Sequence, residues 1–284
     1  MHTPSPASPI GVFDSGIGGL SVLRALREVL PNERFVYLAD SGNAPYGERG
    51  DAFVQQRSAA ITRWMREQHQ IKALVIACNT ATAAAIDGLR DSNTGLPIIG
   101  VEPALKPATQ LSTTHTVGVI ATQGTVGSAR FAALQAAHAG TTRFVVQACS
   151  GLARAIEDST HPDVPAAQSA TQIKALCAQY TGAMGPFGTK TGEMDTLVLG
   201  CTHYIFAADI LRDLLGPAVQ LIDTGTPVAK RTYSLLHATG MLRKTALDEA
   251  QCQLVTTGEL AALQHAAAQW LGVPAQCCKP AALG

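Results

Sequence analysis

The chain has 284 residues, of which 46% are hydrophobic, and its 21 acidic side chains balance its 21 basic ones. This length is enough for one large globular domain or two ordinary ones. Zero net charge without a basic block argues against a nucleic-acid or membrane-surface partner, and no apolar run approaches the ~18 residues that a transmembrane helix needs.

The chain begins with a polar, proline-rich segment, residues 1–9, which predicts a disordered tail. This segment lacks the apolar core of a signal peptide, so we expect a cytoplasmic protein. Strand-like and helix-like segments then alternate, which is typical of a parallel sheet with helices on both faces. The first half predicts strands at 10–13, 34–39, 73–78 and 96–101, and helices at 20–30, 51–69 and 79–90.

The pattern restarts near Thr116, and segment 117–125 resembles segment 10–18. We interpret the two halves as an internal duplication with pseudo-twofold symmetry. The alternative is a chance match between two common strand–turn–helix segments. In the second half the sequence predicts strands at 143–148 and in the run ending at Cys201, and irregular insertions at 159–166 and 184–193.

The segments 73–80 and 196–203 each contain a short apolar run that stops at a cysteine, Cys78 or Cys201. Runs of this length and composition predict buried parallel strands. Both thiols are therefore expected at the carboxyl ends of strands, where open α/β sheets bind ligands.

A thiol at a helix N-terminus feels the positive end of the helix dipole, so we expect the pKa of Cys78 to fall below ~8.5. Asn79 and Thr80 offer hydrogen-bond donors beside it. Cys201 repeats the arrangement, with His203 as a proton relay or charge partner. For either cysteine alone, a structural thiol is an equal alternative to a nucleophile, and the pair could also act as a dithiol redox sensor.

The other cysteines give no sign of a metal or disulfide framework. The chain has seven cysteines but no CxxC motif, so zinc and thioredoxin-like sites have no support. Disulfides are not expected in a reducing cytosol. Structural or incidental roles are expected for Cys149, Cys177, Cys252, Cys277 and Cys278.

A glycine-rich turn, residues 14–19, precedes the first predicted helix, where backbone N–H groups can bind an anion. A phosphate cradle in a nucleotide-binding module is one hypothesis, but there is no Walker lysine and the GxGxxG spacing is absent. The carboxylate of Asp14 would repel phosphate and suits an ammonium group, or a base that assists another group. The simplest alternative is a helix cap.

Two matched thiols favour one reaction over the others. Covalent catalysis needs one nucleophile, whereas racemisation needs two groups on opposite faces of one carbon. One removes the α-proton as a thiolate and the other returns a proton as a thiol; desolvation, aligned donors and fixed distances must stabilise the intermediate. We therefore predict proton exchange by Cys78 and Cys201, helped by Asp14 and His203.

Four motifs together resemble the glutamate racemases, within the cofactor-independent aspartate/glutamate racemase superfamily. Their order and spacing hold from about Ile10 to Ile222. The resemblance implies two doubly wound α/β domains with parallel sheets and an active site in the cleft between them. It also implies a mechanism without cofactor, with Cys78 and Cys201 as acid and base. The motifs lie at residues 11–19, 40–47, 76–80 and 199–204.

The resemblance also implies a set of substrate contacts. Backbone N–H groups at Tyr46 and Gly47 would hold the distal carboxylate of glutamate, although Pro and Gly beside Tyr also mark a plain turn. The full set of implied contacts is Asp14, Ser15, Tyr46, Gly47, Asn79, Thr80, Thr202 and His203.

One further acidic residue matches the family. Glu157 lies eight residues after Cys149, where the family has an acidic side chain, and is expected to support the half-site of Cys201. Ser150 departs from the usual proline of that motif, and the insertion that follows is atypical.

The implied biology is D-glutamate supply for peptidoglycan by a homodimer. Racemisation of aspartate or another amino acid is the alternative within the superfamily. The expected division assigns residues 10–104 and 223–284 to the first domain and residues 105–222 to the second.

Overall fold

The computed structural model describes residues 4–140, 142–245, 251–281 and 283. Two separate sheets form its core, and every strand pair in them is parallel. The strands are β1 (Ile10–Asp14), β2 (Phe35–Ala39), β3 (Ala73–Ile76), β4 (Ile98–Gly100), β5 (Thr116–Ala121), β6 (Arg143–Ala148), β7 (Thr196–Gly200), β8 (Gln220–Ile222), β9 (Cys252–Thr256) and β10 (Cys278–Pro280).

Helices connect these strands and cover the sheets. The segment 51–69 is helical as predicted, whereas the helix from Ala166 was missed because its sequence has no strong amphipathic period. The helices are α1 (Leu20–Val29), α2 (Asp51–His69), α3 (Asn79–Ser92), α4 (Leu105–Leu111), α5 (Gln123–Val126), α6 (Ala129–His138), α7 (Leu152–Asp158), α8 (Ala166–Met184), α9 (Ala208–Leu215), α10 (Gly225–Ala238) and α11 (Leu260–Leu271).

The two sheets share one strand order. The first runs β10-β9-β2-β1-β3-β4 and the second β6-β5-β7-β8. The order β2-β1-β3-β4 therefore repeats as β6-β5-β7-β8, which confirms the predicted doubly wound α/β architecture. Because β3 and β7 occupy equivalent places, the residues that follow them are also equivalent.

Each sheet is buried on both faces, because neighbouring residues of a strand point to opposite sides. Val12 packs in one hydrophobic core and Phe13 in another, across the first sheet. In the second sheet Val119 and Ile120 likewise pack in two different cores on opposite faces. Within the described residues, no helix is long and apolar enough to cross a membrane.

The C-terminal segment returns to the first sheet, where β9 pairs with β2. The division at residues 104/105 and 222/223 stays a prediction. The predicted insertions, 159–166 and 184–193, form turns and loops except at Ala166 and Met184, which are the two ends of α8. Of the predicted tail, residues 1–3 lie outside the described part, and the Pro6 carbonyl accepts a hydrogen bond from Lys72 Nζ at 2.7 Å.

Candidate active site

Cys78 and Cys201 lie at the equivalent ends of β3 and β7, as the sequence predicts. They are 5% and 7% exposed, so both thiols are almost fully buried. A charge on the Cys201 sulfur would raise the pKa of Cys78, so the two thiols lie close enough to interact electrostatically. All seven cysteines, including these two, are free thiols.

Cys78 caps the N-terminus of α3. Its sulfur accepts a hydrogen bond from the Ala81 N–H at 3.4 Å and lies 3.7 Å from Ser15 Oγ. Burial raises the pKa of this thiol, the charge of Asp14 raises it further, and the hydrogen bonds lower it. The predicted fall in the pKa of Cys78 is therefore wrong, since desolvation outweighs the helix N-terminus here.

On the other side, Cys201 is paired with a histidine and a glutamate. The Cys201 sulfur lies 3.8 Å from His203 Nδ1, and His203 Nε2 lies 2.7 Å from Glu157 Oε2. Burial alone would lower the pKa of His203, but the bonds to Cys201 and Glu157 outweigh it and leave that pKa well above 6.5. His203 is thus held as an imidazolium beside the thiol.

Glu157 connects this half-site to the first domain. It accepts hydrogen bonds from Ser41 Oγ at 2.6 Å and from the Ile17 N–H at 2.9 Å. Burial raises the pKa of Glu157, but the bonds to His203, Ser41 and Ile17 outweigh it, so the net pKa lies below its ordinary value. The carboxylate stays ionised and tied to both domains.

Asp14, at the end of β1, is fully buried. Its Oδ2 accepts hydrogen bonds from the Gly16 and Gly19 N–H groups at 3.2 and 2.9 Å, while Oδ1 has no hydrogen-bond partner. Burial raises its pKa to about 6, against the lowering effect of His203 and the two glycine amides. An unpartnered buried carboxylate oxygen is a place for a positively charged group.

This arrangement disfavours a phosphate cradle in the glycine-rich turn. The Gly16 and Gly19 N–H groups are bound by Asp14, and the Ile17 N–H is bound by Glu157. The donors that would hold a phosphate therefore already serve two carboxylates.

The residues after Cys78 face the second domain. Thr80 Oγ1 lies 2.9 Å from Thr122 Oγ1, at the end of β5. Asn79 donates to the Val101 carbonyl at 3.5 Å, and its buried Oδ1 has no hydrogen-bond partner. Thr202 is buried too, and its carbonyl accepts a bond from Ser21 Oγ at 3.2 Å. Thr80 and Thr202 thus each make a hydrogen bond to the opposite domain.

Tyr46 differs from a simple substrate contact. Its hydroxyl donates to Asp40 Oδ2 at 2.5 Å, and Asp40 also accepts two bonds from the Arg57 guanidinium at 2.7 and 3.0 Å. The Tyr46 side chain therefore stabilises the loop through Asp40, and the backbone of Tyr46 is the part left to bind a ligand. A Cβ added at Gly47 would lie 2.7 Å from Thr122 Cβ, so this turn packs directly on the second domain.

Sequence reasoning missed Asp40 and Thr122 as functional-site residues. Asp40 was noted only within a motif, yet it follows β2 as Asp14 ends β1. Thr122 follows β5, the strand equivalent to β1. Their place at strand ends was the signal that could have found them. Among the described residues, no group of three or more His, Cys, Asp or Glu side chains could hold a metal ion.

Comparison with known sequences matches the chain to one family of racemases. The family described as Asp/Glu/Hydantoin racemase matches residues 10–232. A glutamate racemase from Ectopseudomonas mendocina is 43% identical over 270 residues, covering 95% of this chain and 97% of the relative. One from Cupriavidus pinatubonensis is also 43% identical, over 97% of this chain and 96% of the relative.

Solved structures agree with this result. A glutamate racemase from Bacillus anthracis has a TM-score of 0.80 at 28% identity, covering 98% of this chain and 97% of that one. The Francisella tularensis glutamate racemase, solved with D-glutamate, has a TM-score of 0.79 at 27% identity, covering 98% of both chains. The fold is thus shared along almost the whole length.

Proposed function

This chain belongs to the Asp/Glu/hydantoin racemase family, and from that premise we propose that it is an isomerase that interconverts L-glutamate and D-glutamate. The observation that carries the proposal is the pair of buried thiols, Cys78 and Cys201, at equivalent strand ends of two facing domains. The glutamate racemases from E. mendocina and C. pinatubonensis, similar over almost their whole length, support glutamate as the substrate.

The reaction is a two-base proton transfer at Cα without a cofactor. One cysteine, as a thiolate, takes the α-proton and leaves its electron pair on Cα, conjugated with the substrate carboxylate. The other cysteine, as a thiol, gives a proton to the opposite face. The two sulfurs exchange protonation states in each turnover, and the reverse reaction uses the opposite roles.

Asp14 and Cys78 act together when the substrate binds. The ammonium group of glutamate binds the unpartnered Oδ1 of Asp14. Its positive charge offsets the Asp14 carboxylate, which is one cause of the raised pKa of Cys78. Substrate binding therefore lowers the pKa of Cys78 and makes its thiolate accessible when the α-proton is in place.

On the opposite face, His203 is the proton partner of Cys201, and Glu157 keeps it charged. The His203 Nδ1 atom lies 3.8 Å from the Cys201 sulfur, within reach of a proton that moves between the two side chains. The remaining proposed contacts orient the substrate: hydrogen-bonding groups beside the thiols bind the α-carboxylate, and the backbone at Tyr46 and Gly47 binds the distal carboxylate. The α-carboxylate contacts are Ser15, Asn79, Thr80 and Thr202.

The direct test is circular dichroism of L-glutamate and of D-glutamate with purified protein and no added pyridoxal phosphate. We expect the signal of each enantiomer to decay to zero, the racemic value. A folded sample that leaves both signals unchanged would overturn the proposal. L-Aspartate in the same assay tests the alternative substrate, and we expect it to keep its signal.

We further propose that the enzyme works in the cytoplasm as a homodimer and supplies D-glutamate for peptidoglycan. Its gene should restore growth of a bacterium that requires added D-glutamate. Light scattering after size-exclusion chromatography should give about twice the chain mass of 29.6 kDa. Failure to support growth would contradict the peptidoglycan role, and the mass of a single chain would contradict the homodimer.

A further inference from the structure

One aromatic stack joins the turn that follows His203 to the opposite domain. Phe206 lies in the 3-10 turn Tyr204–Ala207, and its N–H donates to the His203 carbonyl at 3.0 Å. Its ring stacks on Trp270 of α11, with the ring centroids 3.7 Å apart and the planes 8° from parallel. The turn behind the histidine is thereby fixed to a helix that packs on the first sheet.

The stack is a contact between the two hydrophobic cores. Trp270 packs against the core of the first sheet, together with Leu263 of the same helix. Phe206 packs against that core and also against the core of the second sheet, which contains Cys201. A single ring therefore bridges the two domains beside a proposed catalytic thiol.

The position of this turn matters because His203 has little freedom. Its ring lies 3.8 Å from the Cys201 sulfur and 2.7 Å from Glu157 Oε2, and a Cβ on Gly18 would lie 2.3 Å from it. On the other side of the turn, Ser21 Oγ donates to the Thr202 carbonyl at 3.2 Å. A small shift of the turn would lengthen the histidine–thiol contact, and such misplacement reduces proton-transfer rates strongly.

We propose that Phe206 and Trp270 are positioning residues for His203, a role that rests on the proposed racemase function. Their stack holds the Tyr204–Ala207 turn against the first domain, so that His203 keeps its contact with Cys201 when substrate lies between the thiols. The stack touches no reacting atom and acts only through the histidine.

The test uses the full chain with Trp64→Phe, which leaves Trp270 as the single fluorescent tryptophan of the two in the sequence. In that background Phe206→Leu should lower kcat about tenfold or more, with KM changed less than threefold, and should enlarge the isotope effect with α-deuterated glutamate. Phe206→Tyr keeps the ring and should retain kcat within threefold. Trp270 emission should shift with the leucine variant and not with the tyrosine variant.

Phe187→Leu is the matched control. Phe187 packs against the same second core and, among the described residues, is not one of those that pack on the first core. Phe187→Leu therefore makes the same change of side chain without disturbing a contact between the two cores. We expect it to lower the thermal midpoint to a similar extent as Phe206→Leu while keeping kcat within twofold.

Two results would overturn the positioning role. One is equal kcat for the Phe206→Leu and Phe187→Leu variants, and the other is Trp270 emission that does not respond to Phe206→Leu. The Trp64→Phe parent distinguishes failure of the positioning role from failure of the proposed racemase function. If the parent racemises glutamate, either of these two results overturns the role of the stack alone.

Discussion

Asp14 carries a buried carboxylate in surroundings that favour its protonated form. Burial raises its pKa to about 6, against an ordinary value of 3.8. The folded chain therefore holds this proton more tightly than the unfolded chain, and ionisation of Asp14 costs stability as the pH rises from about 4 to about 6. At neutral pH the cost is at most about 3 kcal/mol, at 1.36 kcal/mol per pKa unit.

We predict that Asp14→Asn stabilises the fold at pH 7.5 by up to about 3 kcal/mol while lowering kcat/KM by at least about 100-fold. The amide needs no desolvated charge, but it cannot neutralise the ammonium group of the substrate. Urea denaturation at pH 7.5 and at pH 4 measures the first effect, and the gain should vanish at pH 4. The dichroism assay measures the second.

Asp209→Asn is the matched control, because the Asp209 side chain is 97% exposed. It should change neither stability nor activity. If Asp14→Asn destabilises the protein at pH 7.5, or keeps normal activity, the role given to the Asp14 charge is incorrect.

Sequence reasoning found Asp14, Cys78, Cys201 and His203 because each stands next to a predicted strand end. It misjudged the direction of the Cys78 pKa shift. The helix N-terminus is visible in the local sequence, but two effects outweigh it: burial of the thiol and the charge of Asp14, which is distant in sequence. Long-range desolvation of this kind has no local sequence signal.

At the scale of elements, the β1–α1 loop is shaped by its close approach to the second domain. A Cβ on Gly18 would lie 2.3 Å from His203 Nδ1, and His203 cannot move without losing Cys201 or Glu157. We predict that Gly18→Ala lowers kcat/KM at least about 100-fold, since misplaced catalytic groups are this costly. Steady-state kinetics in both directions measures it.

Gly88→Ala is the control for this substitution. Gly88 lies within α3, and a Cβ there meets nothing within 4 Å. Alanine should stabilise the helix by about 1 kcal/mol and leave the kinetics unchanged. Normal activity of the Gly18→Ala variant would contradict the close packing of the loop on His203.

The strands that carry the cysteines were predictable, because their apolar runs are short and stop abruptly. The network of Asp40 with Tyr46 and Arg57 was not predictable. It joins a strand end, a 3-10 turn and α2 across 17 residues of sequence. Nor did the sequence indicate that Thr122 meets Thr80, because that contact depends on how the two domains face each other.

At the scale of the molecule, the two domains close over the site. Cys78, Cys201, Asp14 and His203 are all buried, and Glu157 hydrogen-bonds across the cleft. Because these side chains are buried, we expect a substrate of the size of glutamate to reach them only when the domains separate. The repeated strand order agrees with the predicted internal duplication and places Cys78 and Cys201 after equivalent strands.

We predict that iodoacetamide modifies Cys277, which is partly exposed, at least about tenfold faster than Cys78 or Cys201. D-Glutamate should slow the modification of the two buried thiols further without protecting Cys277, because bound ligand favours the closed arrangement. Mass spectrometry of peptides after timed labelling measures each site. Equal rates for Cys78, Cys201 and Cys277 would contradict a closed cleft.

The central claim, that two thiols act on one carbon from opposite faces, is tested most directly by racemisation with single cysteine variants. Cys78→Ala and Cys201→Ala should each remain folded and lower kcat for L-glutamate at least about 1000-fold, while Cys149→Ala, a change of another buried thiol in the second core, should keep kcat within about threefold. Near-normal racemisation by either of the first two variants would contradict the two-base account.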